Sequence, residues 1–319
     1  MTIDCTFVTL ADIRHLKGMD APFHAGELEM QRRAGVVEEA RRVAAIFAPG
    51  LPDGAGPFLA RQRLAVAATL DPAGRVWASL LTGPPGFLAP VGDDLLRIDA
   101  RRIAGDPLLE NLAARPELGL LAIDPSRRQR MRFNGRGMVS SDGVFLLVDR
   151  AYGNCARFIQ RRRLVGEVDG DVAATLIGGT LTEAQQEWIA SADTLFLASA
   201  HPGAPDGGAD ASHRGGFPGF VRVLDEGRIA FEDYPGNAMF NTLGNLQVYP
   251  HVGLLFVDFA GGGVLQLSGR ARIGADRSVE ATIEEVRETP AAFPLRFEFV
   301  DYSPANPRFT VQRQEERTT

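Results

Sequence analysis

The chain is almost without lysine. Lys17 is the only one in 319 residues, and every other basic side chain is arginine. A Schiff-base mechanism would have to rest on that one near-terminal amine, which argues against it. A phosphate ligand would have to be held by guanidinium forks and backbone N–H groups. Cysteine is equally scarce. Cys5 and Cys155 lie far apart, with no Cys-x-x-Cys, so neither a disulfide framework nor a zinc site is expected, and no metal. No apolar run approaches a membrane span, and the opening MTIDCTFVTLADIRHLKGMD lacks the pattern of a signal peptide; a cytoplasmic protein with no membrane partner is expected. Positive charge is not in excess. The 34 Lys and Arg face 40 Asp and Glu, a formal charge of −6, so nucleic acid is not an expected partner. The one arginine-rich run, Arg127-Arg128-Gln129-Arg130-Met131-Arg132, reads as a solvated turn between strands.

What is present is the ordinary make-up of a soluble globular chain, with 45% apolar and 23% charged residues in a length sufficient for two domains. From His24 to Phe47 the apolar spacing is helical, with Leu28, Val36, Ala40, Val43, Ala44 and Phe47 able to share a face. Gly35 weakens the middle of that helix, and Pro49-Gly50-Leu51-Pro52 stops it. Strands are predicted at Leu64–Leu70, Arg75–Leu81, Leu95–Ile98, Leu118–Ile123, Arg130–Met138 and Phe145–Val148. A short helix follows Asp106-Pro107, capped by the aspartate and started by the proline. That set describes a small antiparallel barrel. Tyr152–Arg163 reads as a helix, Gly166–Thr180 as a linker, and Thr182-Glu183-Ala184-Gln185 as a capping box opening the helix of Trp188. Strands then resume at Leu195–Ala198. Gly261-Gly262-Gly263 reads as a hairpin turn, since no Lys-Ser/Thr follows.

The chain repeats itself. Ala78–Leu88 (ASLLTGPPGFL) and Ala211–Val221 (ASHRGGFPGFV) agree at six of eleven positions with an offset of 133. Asp106–Asp124 and Phe240–Asp258 agree at eight of nineteen with an offset of 134, which Gly135-Arg136 and Gly269-Arg270 keep. One barrel has been duplicated. The expected organisation is an N-terminal helical segment (1–54), a first split barrel (55–150), a helical connector (151–189) and a second split barrel (190–319). Two fused barrels can mimic a two-fold dimer while letting its two sites diverge. They differ where chemistry would sit: Leu80-Leu81-Thr82 becomes His213-Arg214-Gly215, and Asp106-Pro107-Leu108 becomes Phe240-Asn241-Thr242. The second frame offers hydrogen-bonding groups and a cation; Arg101 and Arg102 in the first copy leave the opposite frame open.

Several stretches together resemble the pyridoxamine 5'-phosphate oxidase-like flavoproteins, the FMN-binding split-barrel superfamily, in its tandem two-barrel subgroup. They are Phe23-His24-Ala25-Gly26-Glu27-Leu28, Arg75–Gly86, Gly153-Asn154-Cys155 with Phe158–Arg162, Ala211–Gly216, and Gly236-Asn237 through Phe240–Leu243. The resemblance implies a mainly β fold with flanking helices (α+β): two tandem split β-barrels forming a pseudo-dimer, with FMN bound non-covalently between them. It places Ser212, His213, Arg214 and Gly215 along the flavin and Phe240, Asn241 and Thr242 near its phosphate, where a helix start offers free N–H groups. Many relatives carry Arg or Lys at the positions of Asn241 and Thr242. Here the phosphate must be met by Arg214, by N–H groups, or by arginines from across the interface, for which Arg157 and Arg161, on the helix expected to carry Cys155, are the candidates.

The implied function is an FMN-dependent oxidoreductase with no acid–base dyad of its own, taking electrons from NAD(P)H or another small organic reductant. The alternatives are a non-catalytic flavin- or haem-binding protein for storage or sensing, and an interaction module without a ligand. A homodimer is among the assemblies considered. Cys155 reads either as a redox thiol or as a small residue buried on its helix. His24 and Glu27 read either as a lid pair or as the start of the first helix. Trp77 and Trp188 read as core or interface aromatics.

Overall fold

The computed structural model describes residues 22–100, 103, 105–168, 173–204 and 208–307; Cys5, His15, Lys17, Arg101 and Arg102 lie outside them. Gly35 does more than weaken the first helix. It takes a left-handed conformation (φ 70°) and ends α1 (Ala25–Ala34), after which α2 (Val37–Val43) starts anew and runs into a short 3-10 turn. His24 caps α1 by accepting from Gly26 N, while Glu27 accepts from His24 N, so the pair starts the helix. A further helix, α3 (Ala55–Ala60), leads into the first sheet.

That sheet is built from β1 (Leu64–Leu70), β2 (Val76–Thr82), β3 (Leu88–Pro90), β4 (Leu95–Ile98), β5 (Glu117–Asp124), β6 (Gln129–Ser140) and β7 (Gly143–Gly153), with α4 (Leu108–Ala114) between β4 and β5. Its order is β2-β1-β5-β6-β7-β4-β3, antiparallel throughout. The second sheet uses β10 (Thr194–Ala200), β11 (Ala209–Gly215), β12 (Val221–Asp225), β13 (Arg228–Glu232), β14 (His251–Val257), β15 (Val264–Ile273) and β16 (Ser278–Thr289). Its order, β11-β10-β14-β15-β16-β13-β12, is the same path strand for strand. Even the irregularities recur. The β6–β7 ladder slips between Asn134 and Gly135, and the β15–β16 ladder between Ser268 and Gly269. At each slip the glycine lies against a partner carbonyl: a Cβ on Gly135 would sit 1.9 Å from Leu147 O, and one on Gly269 2.0 Å from Thr282 O. A bulge of this kind bends the strand and requires the missing side chain.

The fold is thus mainly β with flanking helices. Each barrel has its own interior, and a third core lies between them. β1 shows how one strand serves two cores: Ala65 and Ala67 face the first barrel's interior, while Leu64, Val66, Ala68 and Leu70 meet Phe196, Ala198, Ala211 and Leu255 of the second. A strand covered on both faces has no polar side, which is why Leu64–Leu70 reads as an unbroken apolar run. Across this seam Gln266 Nε2 donates to Ala78 O (2.8 Å) and Ser268 Oγ to Val76 O (3.0 Å).

The helix expected over Tyr152–Arg163 does not form. β7 continues to Gly153 because its last residues still pair with β6, and Phe158 adopts φ 69°, which no helix interior admits. Arg161–Glu167 is strand β8, paired with β17 (Leu295–Asp301) in a separate two-stranded ribbon. The stretch read as a linker contains β9 (Leu176–Gly178), which adds to β16. α5 (Glu183–Ser191) starts at Thr182 with the expected reciprocal capping box. α6 (Asn241–Val248) packs on α1 so closely that a Cβ on Gly26 would lie 2.2 Å from Gly244 O. Gly261–Gly263 forms the β14–β15 turn, with Asp258 Oδ1 accepting from Ala260 N and Gly261 N. Among the described residues no helix is long and apolar enough to cross a membrane.

Candidate functional site

A cavity of about 240 Å³ opens where the start of β6 and the segment after β7 face β11, the loop after β13 and the start of α6. The backbone around it is unusual. Six non-glycine residues among those described have positive φ, and four of them, Phe158, Ala238, Phe240 and Arg277, line this cavity. Such conformations cost on the order of 1–3 kcal/mol each and gather where surrounding structure enforces a binding geometry. Phe240 (φ 61°) turns the chain immediately before α6, so the helix's first N–H groups lie beside the cavity.

Eight of the residues named from sequence meet here: His213, Arg214, Gly215, Phe240, Asn241, Thr242, Cys155 and Arg157. Ser212 lies directly behind, fully buried, accepting from Arg214 (3.3 Å) and from Thr242 Oγ1 (3.1 Å). Arg161 is not part of the site. It stands exposed on β8 in an ion pair with Asp301, because the strand that replaced the expected helix points it outward. Cys155 is exposed in the loop after β7, neither on a helix nor buried.

Sequence reasoning missed the cavity's strongest charges. The run that holds Arg130 and Arg132 read as a solvated turn, yet both are on β6, in agreement with the strand predicted over Arg130–Met138, and the alternation Arg-x-Arg sends both to one face. That period was the available signal. With Arg157, Arg214 and Arg277 they make five guanidinium groups on the lining, against two carboxylates, Glu39 and Asp233. Arg214 reaches Asp233 at 3.2 Å, and burial raises the Asp233 carboxyl's pKa against the pull of that arginine. Among the described residues Arg130 has no carboxylate beside it; burial, with Arg132 and Arg214 adding repulsion, lowers its pKa to about 9. Nε of Arg130, Arg132 and Arg214 and Nδ2 of Asn154 are sealed from solvent without an acceptor. Unmatched buried donors are rare, and these four belong to residues that line one cavity.

Behind this lining sits a buried hub. Asp210 accepts from Arg132 Nη1 (3.0 Å), Asn134 Nδ2 (3.2 Å) and Tyr152 OH (3.1 Å), all from the first barrel. Asn241 and Thr242 turn their side chains partly toward the interior: Asn241 donates to Glu27, and Thr242 Oγ1 lies 3.5 Å from Asp210. Burial disfavours the Arg132 charge, but Asp210 and Tyr152 together more than offset this and raise its pKa. Phe158 and Tyr234, with ring centroids 5.4 Å apart, form an aromatic wall.

The corresponding place in the first barrel is different. There Leu80, Leu81 and Leu108 stand at the positions of His213, Arg214 and Thr242, and they line a second cavity of about 470 Å³. Val264 and Gln266 correspond to Arg130 and Arg132. Gln266 is committed to Ala78 O and to Asp106 Oδ2 (2.9 Å), and burial raises the Asp106 pKa. Among the described residues no group of His, Cys, Asp or Glu is arranged to hold a metal.

Residues 181–312, the α5 helix and the second sheet, match the family model described as pyridoxamine 5'-phosphate oxidase. Among solved structures, the chain is similar to Group A Streptococcus HupZ, at 14% identity over 33% of this chain and 90% of that one, with TM-score 0.25. It is similar to the FAD binding protein from Mycobacterium smegmatis at 13% identity, over 36% and 98%, with TM-score 0.24. It is also similar to an F420 reductase at 17% identity, over 33% and 97%, with TM-score 0.22. No curated protein matches the chain.

Proposed function

We propose that the cavity holds the phosphate and ribityl chain of one FMN per chain, and that the protein is a flavin-dependent oxidoreductase built on a duplicated split barrel. The observation that carries this reading is the excess of guanidinium over carboxylate groups on one cavity lining, Arg130, Arg132, Arg157, Arg214 and Arg277 against Glu39 and Asp233. Buried cations in excess of carboxylates call for an anion. A phosphate answers that need, and α6 contributes N–H groups at the same place. The match of residues 181–312 to the oxidase family model supports a flavin as its bearer. Phe158 and Tyr234 supply an apolar surface for a planar ring. FMN, when bound, supplies the electron-transfer chemistry, and the protein's part is to bind and orient it. Arg214, tied to Asp233 and Ser212, fixes the depth of the phosphate; Arg130, Arg132 and Arg157 bring charge from the first barrel.

The second frame is favoured over the first because leucines and a committed glutamine replace the cations there. One FMN per chain is therefore expected. The test is a visible absorbance spectrum of the purified protein, followed by FMN titration of the stripped protein. Arg214→Ala is expected to weaken FMN about tenfold or more, the loss of a charge-assisted hydrogen bond. A protein that neither contains nor takes up FMN would sink the reading. Bound flavin that NAD(P)H and small organic reductants fail to reduce would leave a flavin-binding protein without the activity.

A further inference from the structure

His213 meets Arg130 across the seam between the barrels. Arg130 Nη1 lies 2.8 Å from His213 Nδ1. A guanidinium has five N–H donors and no acceptor, so the contact is a hydrogen bond only when Nδ1 carries a lone pair. The proton of the neutral ring is then on Nε2. The ring is held edge-on to Phe196, with centroids 5.7 Å apart, and the residue is 3% exposed. His213 lines the cavity, and its Nε2 has no hydrogen-bond partner among the described residues. Unlike Nε of Arg130 and Arg214, Nε2 is not sealed. The cavity is the opening that His213 lines.

We propose that Arg130 acts as a positioning residue that locks His213 in the Nε2–H tautomer, making His213 a fixed hydrogen-bond donor to an unprotonated oxygen of an oxyanion, of the phosphate-monoester class, in the cavity. The donor is thus carried by one barrel and set by the other. This deepens the reading above and rests on it only for which molecule bears the phosphate.

The surroundings resist a second proton on the ring. Arg130 and Arg132 face it from β6, Arg162 from β8 and Arg214 from β11. Asp210 pairs with Arg132, Asp233 with Arg214, and Cys155 lies near Arg130. Burial first, and these four guanidinium groups next, hold the imidazole well below its ordinary pKa of 6.5. In the unfolded chain the same ring protonates as pH falls through 6.5. Its contribution to stability is therefore full above that pH and is lost as the solution is acidified toward the lower folded-state value. An anion among the arginines offsets their repulsion, so its binding is accompanied by easier protonation of His213.

The test uses the full chain labelled with ¹⁵N-histidine, and inorganic phosphate and FMN as separate probes. The expected imidazole spectrum at neutral pH has Nδ1 bare and Nε2 protonated, with the Nε2 signal moving on addition of phosphate. Arg130→Met should release the lock and let the Nδ1–H tautomer appear. His213→Leu, which installs the residue found at Leu80 in the first copy, is expected to lower phosphate affinity about tenfold or more, whereas His213→Gln keeps an amide N–H near Nε2 and stays within a few-fold of wild type. An Nδ1–H tautomer in the wild type overturns the proposal, as does an Nε2 signal indifferent to both probes. Phosphate binding without FMN binding would leave the donor in place and remove the flavin. FMN binding with Nε2 unmoved would do the reverse.

Discussion

Valine at Gly253 is expected to force the two barrels apart. A Cβ there would lie 2.8 Å from Ala78 N and 2.8 Å from Trp77 C, both backbone atoms of β2 in the other barrel. No rotamer change can relieve a clash against main chain. The two-fold counterpart is Gly119, where a Cβ would lie 2.6 Å from Ala209 O and 2.7 Å from Asp210 Cα. Neither glycine has positive φ, so the requirement is steric and not conformational. Overpacking a well-filled interior costs about 1–3 kcal/mol when side chains can adjust; here the loss is expected at or above the upper end. Urea unfolding followed by circular dichroism should show the midpoint of Gly253→Val far below wild type, with Gly119→Val close behind and the double variant unable to fold. A wild-type midpoint in Gly253→Val would show that the seam yields easily.

Asp210→Ala should be comparably damaging for an electrostatic reason. The carboxylate is 2% exposed and Arg132 is 7% exposed, and three first-barrel side chains converge on the one acid. Removing it leaves Arg132 buried beside Arg130 and Arg214, and breaking such a pair costs about 3–5 kcal/mol. Replacing both members by apolar residues, Asp210→Leu with Arg132→Met, should recover much of that stability while abolishing anion binding in the cavity. The check is a double-mutant cycle on unfolding free energy with phosphate titration of each variant. Additive losses in the cycle would mean that the two charges do not act as a pair.

Much of this architecture was legible in the residues. The unbroken apolar run Leu64–Leu70 read as a strand, and Gly135-Arg136 against Gly269-Arg270 kept the repeat's offset; the structure adds that the strand is buried on both faces and that both glycines sit at bulges. The change from Leu80-Leu81 to His213-Arg214 pointed to the polar cavity. Two readings failed through the same ambiguity of period. Phe158, Ile159 and Leu164 fit a helical spacing, yet Arg161–Glu167 forms a strand because β17, over 100 residues later, supplies its partner. The run Arg127–Arg132 read as a charged turn, although a strand was predicted from Arg130 onward, because composition outweighed alternation. Arg127 does stand in the turn, while Arg130 and Arg132 project from β6 into the seam. The glycines at 119 and 253 carried no local signal at all, since the need for them comes from the opposite barrel.

The surroundings of Trp77 have an optical consequence. Its indole is fully buried at the seam, Nε1 donates to Asp71 (3.3 Å), and the guanidinium of Arg287, from the second sheet, lies 4.5 Å from the ring centre. The only other tryptophan, Trp188, packs beside Gly263 at the turn between β14 and β15. In a Trp188→Phe protein, emission therefore comes from one fluorophore seated where the halves join. Its wavelength should stay blue while the halves remain docked and shift red when water enters the joint, even where each sheet keeps its own structure. The molecule thus carries a native gauge of docking, separate from the folding of either half.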